Sequence, residues 1–352
     1  MKILIINPYG VGDVLFTTPV ISNLRQAYPQ ASIAYLANRR TTDFLKINPD
    51  INQVFVYERD EFVEAYRQNP LKYAQKWFSF FNAIRREKFE VVFDFSLNSS
   101  FGFLSALCGI KKRVGFDYRK RGRFLTDRVP MSGYEEKHVV EYYLDLLRLV
   151  QIPVVTKQMK LDVPSKDIQW AQEWLNRHSI DPAKPLIAVL PGGGASWGKA
   201  AGYKRWSASN FAHLMDKIIE NFDAAIILLG DSKEEELCRE VVSLAHFPLH
   251  FAVGETSLLG LAALLKRCQG AIVNDGGPLH VAEAVGVKTV SIFGPVDPRV
   301  YGPYPVANHT VVQKNLPCQP CYRSFRQALC GHISCLRDLS VEDVLRKVQN
   351  IL

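Results

Sequence analysis

Short apolar runs alternate along the chain with longer stretches in which apolar residues recur at helical spacing. The short runs are continuously apolar, which is typical of parallel strands that are covered on both faces. In the first half the predicted strands are 2–7, 32–37, 53–57 and 90–95. In the second half they are 186–190, 224–229, 270–274 and 289–293. This alternation predicts an α/β fold with parallel sheets.

The predicted helices form two series. Those of the first half are 13–27, 62–88 and 136–150. Those of the second half are 207–221, 232–245, 257–267, 277–286 and 340–351. Four prolines and one amphipathic stretch, 167–178, separate the series. The pattern predicts a domain over 1–165, a linker over 166–184 and a second domain over 185–352, and the chain of 352 residues is long enough to bury two cores.

Positive charge is concentrated in the first half of the chain. The net charge is +8, and residues 1–165 hold 24 Lys and Arg against 17 Asp and Glu. This excess indicates either an anionic partner, such as a nucleic acid, an acidic glycolipid or a membrane surface, or a solvated basic face. The first residues carry too short an apolar run for a signal peptide, so we expect a cytoplasmic protein.

The turn after the first predicted strand carries a carboxylate. It reads NPYGVGDVLFTTP over 7–19, and Gly10 and Gly12 allow close approach of the backbone. Ligands of open α/β sheets bind at the carboxyl ends of strands, where this turn lies. Asp13 would repel a phosphate at the helix start. It is therefore either a general base for an acceptor hydroxyl or a helix cap.

A glycine-rich segment, LPGGGASWGKAAGYKRWS over 190–207, follows the first strand of the second series. The amides of Gly192, Gly193 and Gly194, with Lys204 and Arg205 after them, predict a cradle for a diphosphate. The alternative is a flexible loop with basic residues on its surface.

Two further loops end strands of the second series. In VNDGGPLHVAEAVG, over 273–286, Asp275, Gly276 and Gly277 open a helix whose amides suit phosphates or sugar hydroxyls. His280 in its first turn is either a phosphate ligand or a structural residue. In GDSKEEEL, over 230–237, Glu234 either binds ribose hydroxyls or complements the helix dipole.

Four of the seven cysteines lie in one short segment. Cys318, Cys321, Cys330 and Cys335 have the spacing C-x2-C-x8-C-x4-C. Because only the first pair is CxxC, the spacing fits a structural zinc site in part. Reduced thiols and a disulfide are the alternatives.

Three motifs together resemble the ADP-heptose–lipopolysaccharide heptosyltransferases, glycosyltransferase family 9. They are GVGDVLFTTP, KRW before a helix, and NDGGPLHxAxAxG followed by FGPxDP. The resemblance covers nearly the whole chain. It implies the GT-B architecture, in which two Rossmann-like domains face a central cleft, and an inverting transfer that needs no catalytic metal.

The resemblance also implies roles for individual residues. It makes Asp13 the catalytic base and Lys204 the group that stabilises the leaving diphosphate. Asp275, Gly276 and Gly277 would hold the donor sugar and phosphates, and Glu234 the donor ribose. Residues 256–259, with Thr256 and Leu258, fall where the family packs adenine. The segment GASWGKAAGY before Lys204 is longer than the corresponding loop of some family members. The resemblance therefore does not say which groups of this loop touch the phosphates.

The implied reaction moves a heptose from a nucleotide-diphosphate sugar, ADP-heptose, to a lipopolysaccharide-type acceptor. The acceptor domain would be the N-terminal one, with Gly12 and a basic segment binding an anionic lipid-linked saccharide near the inner membrane. That segment contributes Arg119, Lys120, Arg121 and Arg123. Two alternatives stay open at this point: a nucleotide-sugar 2-epimerase on the same fold, and a nucleic-acid-binding protein that uses the basic and aromatic residues of 111–123.

Overall fold

The computed structural model describes residues 1–193, 195–327 and 330–352, and its chain forms two compact units. Unit 1 comprises Met1–Tyr134 and Val139–Lys157, and unit 2 comprises Glu135–His138 and Gln158–Leu352. The predicted functional boundaries at 165 and 184 stay predictions. Within the described residues, no helix is both long and apolar enough to cross a membrane.

Unit 1 contains a sheet of six parallel strands in the order β3-β2-β1-β4-β5-β6. They are β1 (Lys2–Ile6), β2 (Ser32–Ala37), β3 (Gln53–Val56), β4 (Val91–Asp94), β5 (Lys112–Tyr118) and β6 (Asp127–Met131). The chain builds outward from β1 in one direction and then returns to β4 on its other side. Between β1 and β4 the direction of winding switches, which is where α/β sheets bind ligands.

The helices of unit 1 cover both faces of this sheet. They are α1 (Val11–Leu15), α2 (Thr18–Ala27), α3 (Arg39–Ile47), α4 (Arg59–Gln68), α5 (Pro70–Arg86), α6 (Ser99–Leu107) and α7 (Val139–Leu149). The single helix predicted over 62–88 is wrong, because Asn69 ends α4 and caps α5. Pro70 explains the break, since proline lacks an N–H and keeps the preceding residue out of the helical region.

Unit 2 repeats the same topology with a second parallel sheet, in the order β12-β11-β10-β7-β8-β9. Its strands are β7 (Leu186–Leu190), β8 (Ala225–Leu228), β9 (His250–Phe251), β10 (Gly270–Asn274), β11 (Lys288–Ile292) and β12 (His309–Val312). A two-stranded antiparallel ribbon follows, formed by β13 (Tyr322–Arg323) and β14 (Arg326–Gln327). The predicted α/β class with parallel sheets is confirmed.

The helices of unit 2 begin with α8, which packs on α11 rather than standing apart as a connector. They are α8 (Ser165–Arg177), α9 (Ala208–Phe222), α10 (Glu235–Leu244), α11 (Leu258–Leu265), α12 (Gly277–Ala284), α13 (Pro298–Tyr301), α14 (Ser334–Arg337) and α15 (Val341–Val348). A 3₁₀ segment, Ala195–Lys204, precedes α9. The amphipathic α9, α10 and α15 close the core over one face of the sheet.

Candidate active site

The candidate donor residues of unit 2 lie at the carboxyl edge of its sheet. The glycine-rich loop follows β7, the Glu234 turn follows β8, and Asp275 follows β10. Because all strands are parallel, their carboxyl ends share one edge, and the loops that end them are neighbours. The fold therefore brings together loops that are up to 80 residues apart in the sequence.

Asn274, the last residue of β10, holds the glycine-rich loop in place. Its buried side-chain amide donates to the carbonyl oxygens of Pro191 at 2.7 Å and Gly192 at 3.1 Å. Its side-chain oxygen accepts the Trp206 N–H at 3.2 Å. A single buried amide thus fixes both ends of the segment that leads to Lys204. Gly194 lies outside the described residues.

Glu234 is buried against the same loop. Its Oε1 accepts the Gly193 N–H at 2.7 Å, and its Oε2 accepts the Asp231 N–H at 3.2 Å in a capping box. A Cβ at Gly192 would lie 2.0 Å from Oε1, so any larger residue there would displace the Glu234 carboxylate. Arg205 completes the arrangement by donating to the Gly193 carbonyl at 3.0 Å. In this structure the Gly193 N–H therefore binds Glu234, and both residues stay predictions as donor ligands.

Lys204 and Asp275 form a buried ion pair. The Lys204 Nζ lies 2.7 Å from Asp275 Oδ2, and their side chains are 10% and 4% exposed. The same ammonium lies 4.5 Å from the centre of the Trp197 ring, a cation–π contact. Trp197 in turn packs on Tyr322 of β13 at 5.0 Å between ring centres. These contacts hold the Lys204 ammonium in one position beside the glycine-rich loop.

The helix that begins after Asp275 keeps His280 inside the unit. α12 starts at Gly277 with Gly276 as its N-cap, as predicted for a helix start after β10. His280 is buried, and its Nδ1 lies 3.0 Å from Glu283 Oε2. Burial raises the pKa of the Glu283 carboxyl well above its usual range. This pairing favours the structural role for His280, and its role as a phosphate ligand stays a prediction.

Thr256 and Leu258 lie beside the Glu234 turn. The Gly254 N–H donates to the Gly230 carbonyl at 3.0 Å, which joins the two segments. Both side chains are half-buried where α11 begins. They are therefore available at the sheet edge where adenine is expected, and this role also stays a prediction.

In unit 1, Asp13 occupies the first turn of α1, at the switch between β1 and β4. Gly10, not Asp13, is the N-cap of this helix, so the simple capping role is wrong. Buried Asn7 donates from its side-chain amide to the Asp13 carbonyl at 3.0 Å and accepts the Tyr9 N–H at 3.3 Å. Gly12 is half-buried in the same turn.

Four tyrosines lie within electrostatic reach of the Asp13 carboxylate: Tyr9, Tyr35, Tyr134 and Tyr143. Burial raises the pKa of each hydroxyl, and the charge of Asp13 adds to each rise. For Tyr9 the pKa reaches about 12, with Asp94 contributing and Arg121 opposing. These hydroxyls stay protonated at neutral pH. Tyr35, Tyr134 and Tyr143 are buried, whereas Tyr9 is exposed and can meet a ligand.

Asp94 is a buried carboxyl that the sequence analysis missed. It ends β4 in register with Ile6 of β1 and accepts the Ser96 N–H at 2.9 Å. Burial raises its pKa to about 6, although the Ser96 hydrogen bonds oppose the rise. The available signal was an acid at the end of the apolar run EVVFDF.

The basic segment forms the turn between β5 and β6. The side chains of Arg119, Lys120, Arg121 and Arg123 are exposed. Asp117 holds the turn by accepting the Gly122 N–H at 2.8 Å, and a Cβ at Gly122 would lie 2.9 Å from the Asp117 Cα. The positive charge of Arg121 lowers the pKa of Tyr9, against the larger effects of burial, Asp13 and Asp94.

The four clustered cysteines are thiols rather than disulfides, so the disulfide alternative is wrong for this structure. Burial raises the pKa of Cys335 to about 11, with Cys321, Cys330 and Cys318 adding to the rise. The sulfurs are thus neighbours. Among residues 1–193, 195–327 and 330–352, however, no three His, Cys, Asp or Glu side chains are arranged to hold a metal.

Two parallel sheets, each with a switch point, define a Rossmann-type α/β protein. Residues 77–330 match the model of glycosyltransferase family 9 (heptosyltransferase). The chain therefore belongs to this family and is a glycosyltransferase. The resemblance drawn from the motifs is confirmed, and neither the epimerase nor the nucleic-acid-binding alternative is favoured.

Individual relatives agree. The chain is 25% identical over 359 residues to lipooligosaccharide heptosyltransferase 2 of Campylobacter jejuni, covering 100% of this chain and 98% of the relative. A family 9 glycosyltransferase structure from Veillonella parvula matches with a TM-score of 0.81 and 23% identity, over 99% and 96% of the two chains. The structure of Escherichia coli ADP-heptose LPS heptosyltransferase II matches with a TM-score of 0.74 and 22% identity, over 100% and 98%. These structures share the GT-B fold of this chain.

Proposed function

We propose that this glycosyltransferase moves a heptose from ADP-heptose to an anionic, lipid-linked saccharide of the lipopolysaccharide type, with inversion at the anomeric carbon. The observation that carries the proposal is the buried Lys204–Asp275 ion pair beside the glycine-rich loop, in a chain of the heptosyltransferase family. The names of the relatives, which include lipooligosaccharide and lipopolysaccharide heptosyltransferases, support the donor and the acceptor class.

On the donor side, Lys204 stabilises the charge that develops on the leaving diphosphate. A fixed cation that is shielded from water acts more strongly on such charge than a solvated one. The amides at Gly276 and Gly277 add the partial positive charge of a helix start. Glu234 and the segment around Thr256 and Leu258 bind the nucleoside, and Asp275 contacts the sugar. These groups supply the electrostatic stabilisation without a catalytic metal.

On the acceptor side, Asp13 takes the proton from the attacking hydroxyl. The exposed Tyr9 side chain and the cations of the Arg119–Arg123 turn hold an acidic saccharide in reach of it. The oxygen forms its bond to the anomeric carbon as the bond to the diphosphate breaks, and the proton stays on Asp13. Because Asp13 belongs to unit 1 and Lys204 to unit 2, the reaction uses groups from both units.

The test is acceptor-dependent release of ADP. The protein is incubated with ADP-heptose alone and with a deacylated lipopolysaccharide core acceptor, and ADP and product are measured. ADP-heptose should also raise the melting temperature more than UDP- or GDP-sugars at equal concentration. Product formation only when both substrates are present supports the proposal. Turnover of a nucleotide sugar without acceptor would identify an epimerase instead.

A structural zinc at Cys318, Cys321, Cys330 and Cys335 stays a prediction, which rests on the spacing of the four cysteines in the sequence. Elemental analysis of protein purified without chelator decides it. A stoichiometric metal signal that disappears in Cys318→Ser/Cys321→Ser would establish the site, and no metal would leave four reduced thiols.

We also place the protein, as a proposal, in the cytoplasm at the inner membrane surface, where lipid-linked acceptors are found.

A further inference from the structure

Apolar side chains project outward from two helices of unit 1. On α5, Leu71 is 72% exposed and Phe78 is 67% exposed, and on α6, Phe103 is 46% and Leu107 is 54% exposed. Leu71 and Phe78 are seven residues apart and Phe103 and Leu107 are four apart, so each pair lies on one face of its helix. Single exposed apolar residues are ordinary, whereas paired ones on adjacent helices indicate a surface that binds something.

The two helices lie on the same side of the first sheet. Ile84 of α5 and Phe101 and Leu104 of α6 belong to one core cluster with the strand residues. At the end of α6, the Cys108 sulfur lies 4.0 Å from the Phe81 carbonyl oxygen of α5. Since both inner faces cover the same side of the sheet, their outer faces point away from it together.

Inner and outer faces of α5 are distinct. Its inward stripe packs through Trp77, which contacts Phe62 of α4 at 4.8 Å between ring centres, and through buried Ile84. The outward face continues from Leu71 and Phe78 to exposed Arg85 after another seven residues. This apolar face therefore ends in a cation, which an anionic headgroup attracts.

The charge around these helices is strongly positive. Residues 67–128 hold fourteen Lys and Arg against five Asp and Glu, a net charge of +9 that exceeds the +8 of the whole chain. Within α5 there are four Lys and Arg and no acidic residue, and α6 has no charged residue at all. The residues outside 67–128 carry a net charge of −1. Charge of this density selects an anionic partner.

The apolar and basic features are joined by direct contact. Phe103 of α6 packs on Phe124 of the β5–β6 turn, with 5.0 Å between ring centres. The Arg123 guanidinium lies 4.8 Å from the same Phe124 ring. The cations proposed to bind the acceptor thus border the apolar face of α6.

We propose that the outer faces of α5 and α6 form a membrane-docking surface that inserts Leu71, Phe78, Phe103 and Leu107 into the interface of an anionic lipid bilayer. This rests on the proposed function in one respect, that the acceptor is lipid-linked and must be reached at a bilayer. The flanking cations draw the protein to the charged headgroups, and the apolar side chains hold it there. The Arg119–Arg123 turn then lies at headgroup level, where the saccharide of the acceptor begins.

The experiment measures binding of the full-length protein to vesicles, with no nucleotide sugar or acceptor present. The vesicles contain equal parts of phosphatidylglycerol and phosphatidylcholine, or phosphatidylcholine alone. The test variants are Leu71→Ser/Phe78→Ser and Phe103→Ser/Leu107→Ser. The control is Leu244→Ser/Val306→Ser, which removes two exposed apolar side chains from unit 2. Melting temperature and light scattering check folding and oligomeric state.

We expect the wild type to bind the anionic vesicles and not the zwitterionic ones. Each test pair should weaken binding about tenfold or more, and the control should bind like the wild type. Equal binding by wild type and both test pairs, or no binding to anionic vesicles, would overturn the proposal. A monomer–dimer shift in the test variants would identify the face as an interface between copies and would also overturn it. Because the assay involves no transfer, a protein that fails it and still makes product contradicts the docking surface alone.

Discussion

The Lys204–Asp275 pair is consistent with the proposed role of a buried lysine as a diphosphate ligand. Without a ligand, the carboxylate of Asp275 compensates the buried ammonium, and an unpaired buried charge would be costly. A diphosphate brings stronger and more numerous acceptors to the same cation. The pair therefore holds Lys204 in position before the donor arrives, and Trp197 limits where its ammonium can move.

Replacing Lys204 with alanine should weaken ADP binding by roughly 10- to 100-fold, which corresponds to the loss of a charged hydrogen bond. It should also slow turnover, because the contact strengthens as negative charge develops on the leaving diphosphate in the transition state. Isothermal calorimetry with ADP and steady-state kinetics provide the two readings. Lys199→Ala is the matched control, since Lys199 is an exposed cation of the same segment. Unchanged ADP affinity in a folded Lys204→Ala protein would rule out this role.

Asp94 predicts a specific pH dependence of stability. Its pKa is raised from 3.8 to about 6 by burial, so the folded protein binds this proton more tightly than the unfolded chain does. The contribution of Asp94 to stability is therefore highest below about pH 4 and falls as pH rises through 6. At about 1.4 kcal/mol per pKa unit, the loss is on the order of 2–3 kcal/mol.

Asp94→Asn should remove this loss, because asparagine keeps an oxygen for the Ser96 N–H and carries no charge. We expect its melting temperature to exceed that of the wild type by several degrees at pH 8 and to converge with it near pH 4. The exposed Asp43→Asn is the control and should follow the wild type throughout. A constant difference at all pH values would mean that Asp94 does not titrate as described.

At the residue scale, the sequence predicted where the candidate loops lie better than it predicted what each side chain contacts. Asp13, Lys204 and Asp275 could be identified by their position after strands and by family motifs. The roles of Asn7 and Asn274 could not be predicted, because no sequence pattern distinguishes an asparagine that holds a neighbouring loop from any other asparagine at the end of an apolar strand. Both use one buried amide to fix the backbone of a site loop. The hydrogen bond from the Gly193 N–H to Glu234 also fixes the backbone of a site loop. It too has no signal in the sequence and is visible only in the three-dimensional structure.

At the scale of elements, continuous apolar runs predicted four strands of each sheet within one or two residues. The unpredicted β5 and β6 contain several charged residues, so they lack the apolar run typical of a buried parallel strand. The missed strands matter because the turn between them carries the basic segment. Its conformation depends on Asp117 and Gly122, a contact between residues that sequence patterns do not pair.

This turn should determine acceptor affinity. Replacing Arg119, Lys120, Arg121 and Arg123 with serine should raise the KM for an anionic acceptor and flatten its dependence on salt, because screening weakens attraction beyond about 10 Å at 0.1 M. The KM for the donor should not change. The measurement is acceptor kinetics over a range of salt concentrations.

A matched control removes four exposed cations from unit 2: Arg177, Lys266, Arg337 and Lys347. If this control raises the acceptor KM as much as the turn variant does, then acceptor affinity depends on the net charge of the protein and not on the turn. If the turn variant raises the donor and acceptor KM equally, the turn has a structural role instead.

At the scale of the whole molecule, the proposed function assigns two different chemistries to two units of the same topology. Each unit winds its sheet in the same order and carries functional residues at its carboxyl edge. The edge of unit 2 presents a fixed cation and a glycine-rich loop, which suit a diphosphate. That of unit 1 carries the Asp13 carboxylate and the exposed Tyr9, to which the proposal assigns an acidic saccharide. The concentration of positive charge in residues 67–128 fits this division.

The most direct test of this division is the effect of Asp13→Asn on turnover and on donor affinity, measured in the same preparation. The substitution keeps the size of the side chain next to Gly10 and removes its ability to accept a proton. We predict that kcat falls by roughly 10²- to 10⁴-fold, while the Kd for ADP-heptose, measured by calorimetry, stays within about twofold because the donor residues belong to unit 2. Turnover near the wild-type rate in the folded variant, on an acceptor that the wild type uses, would contradict the account.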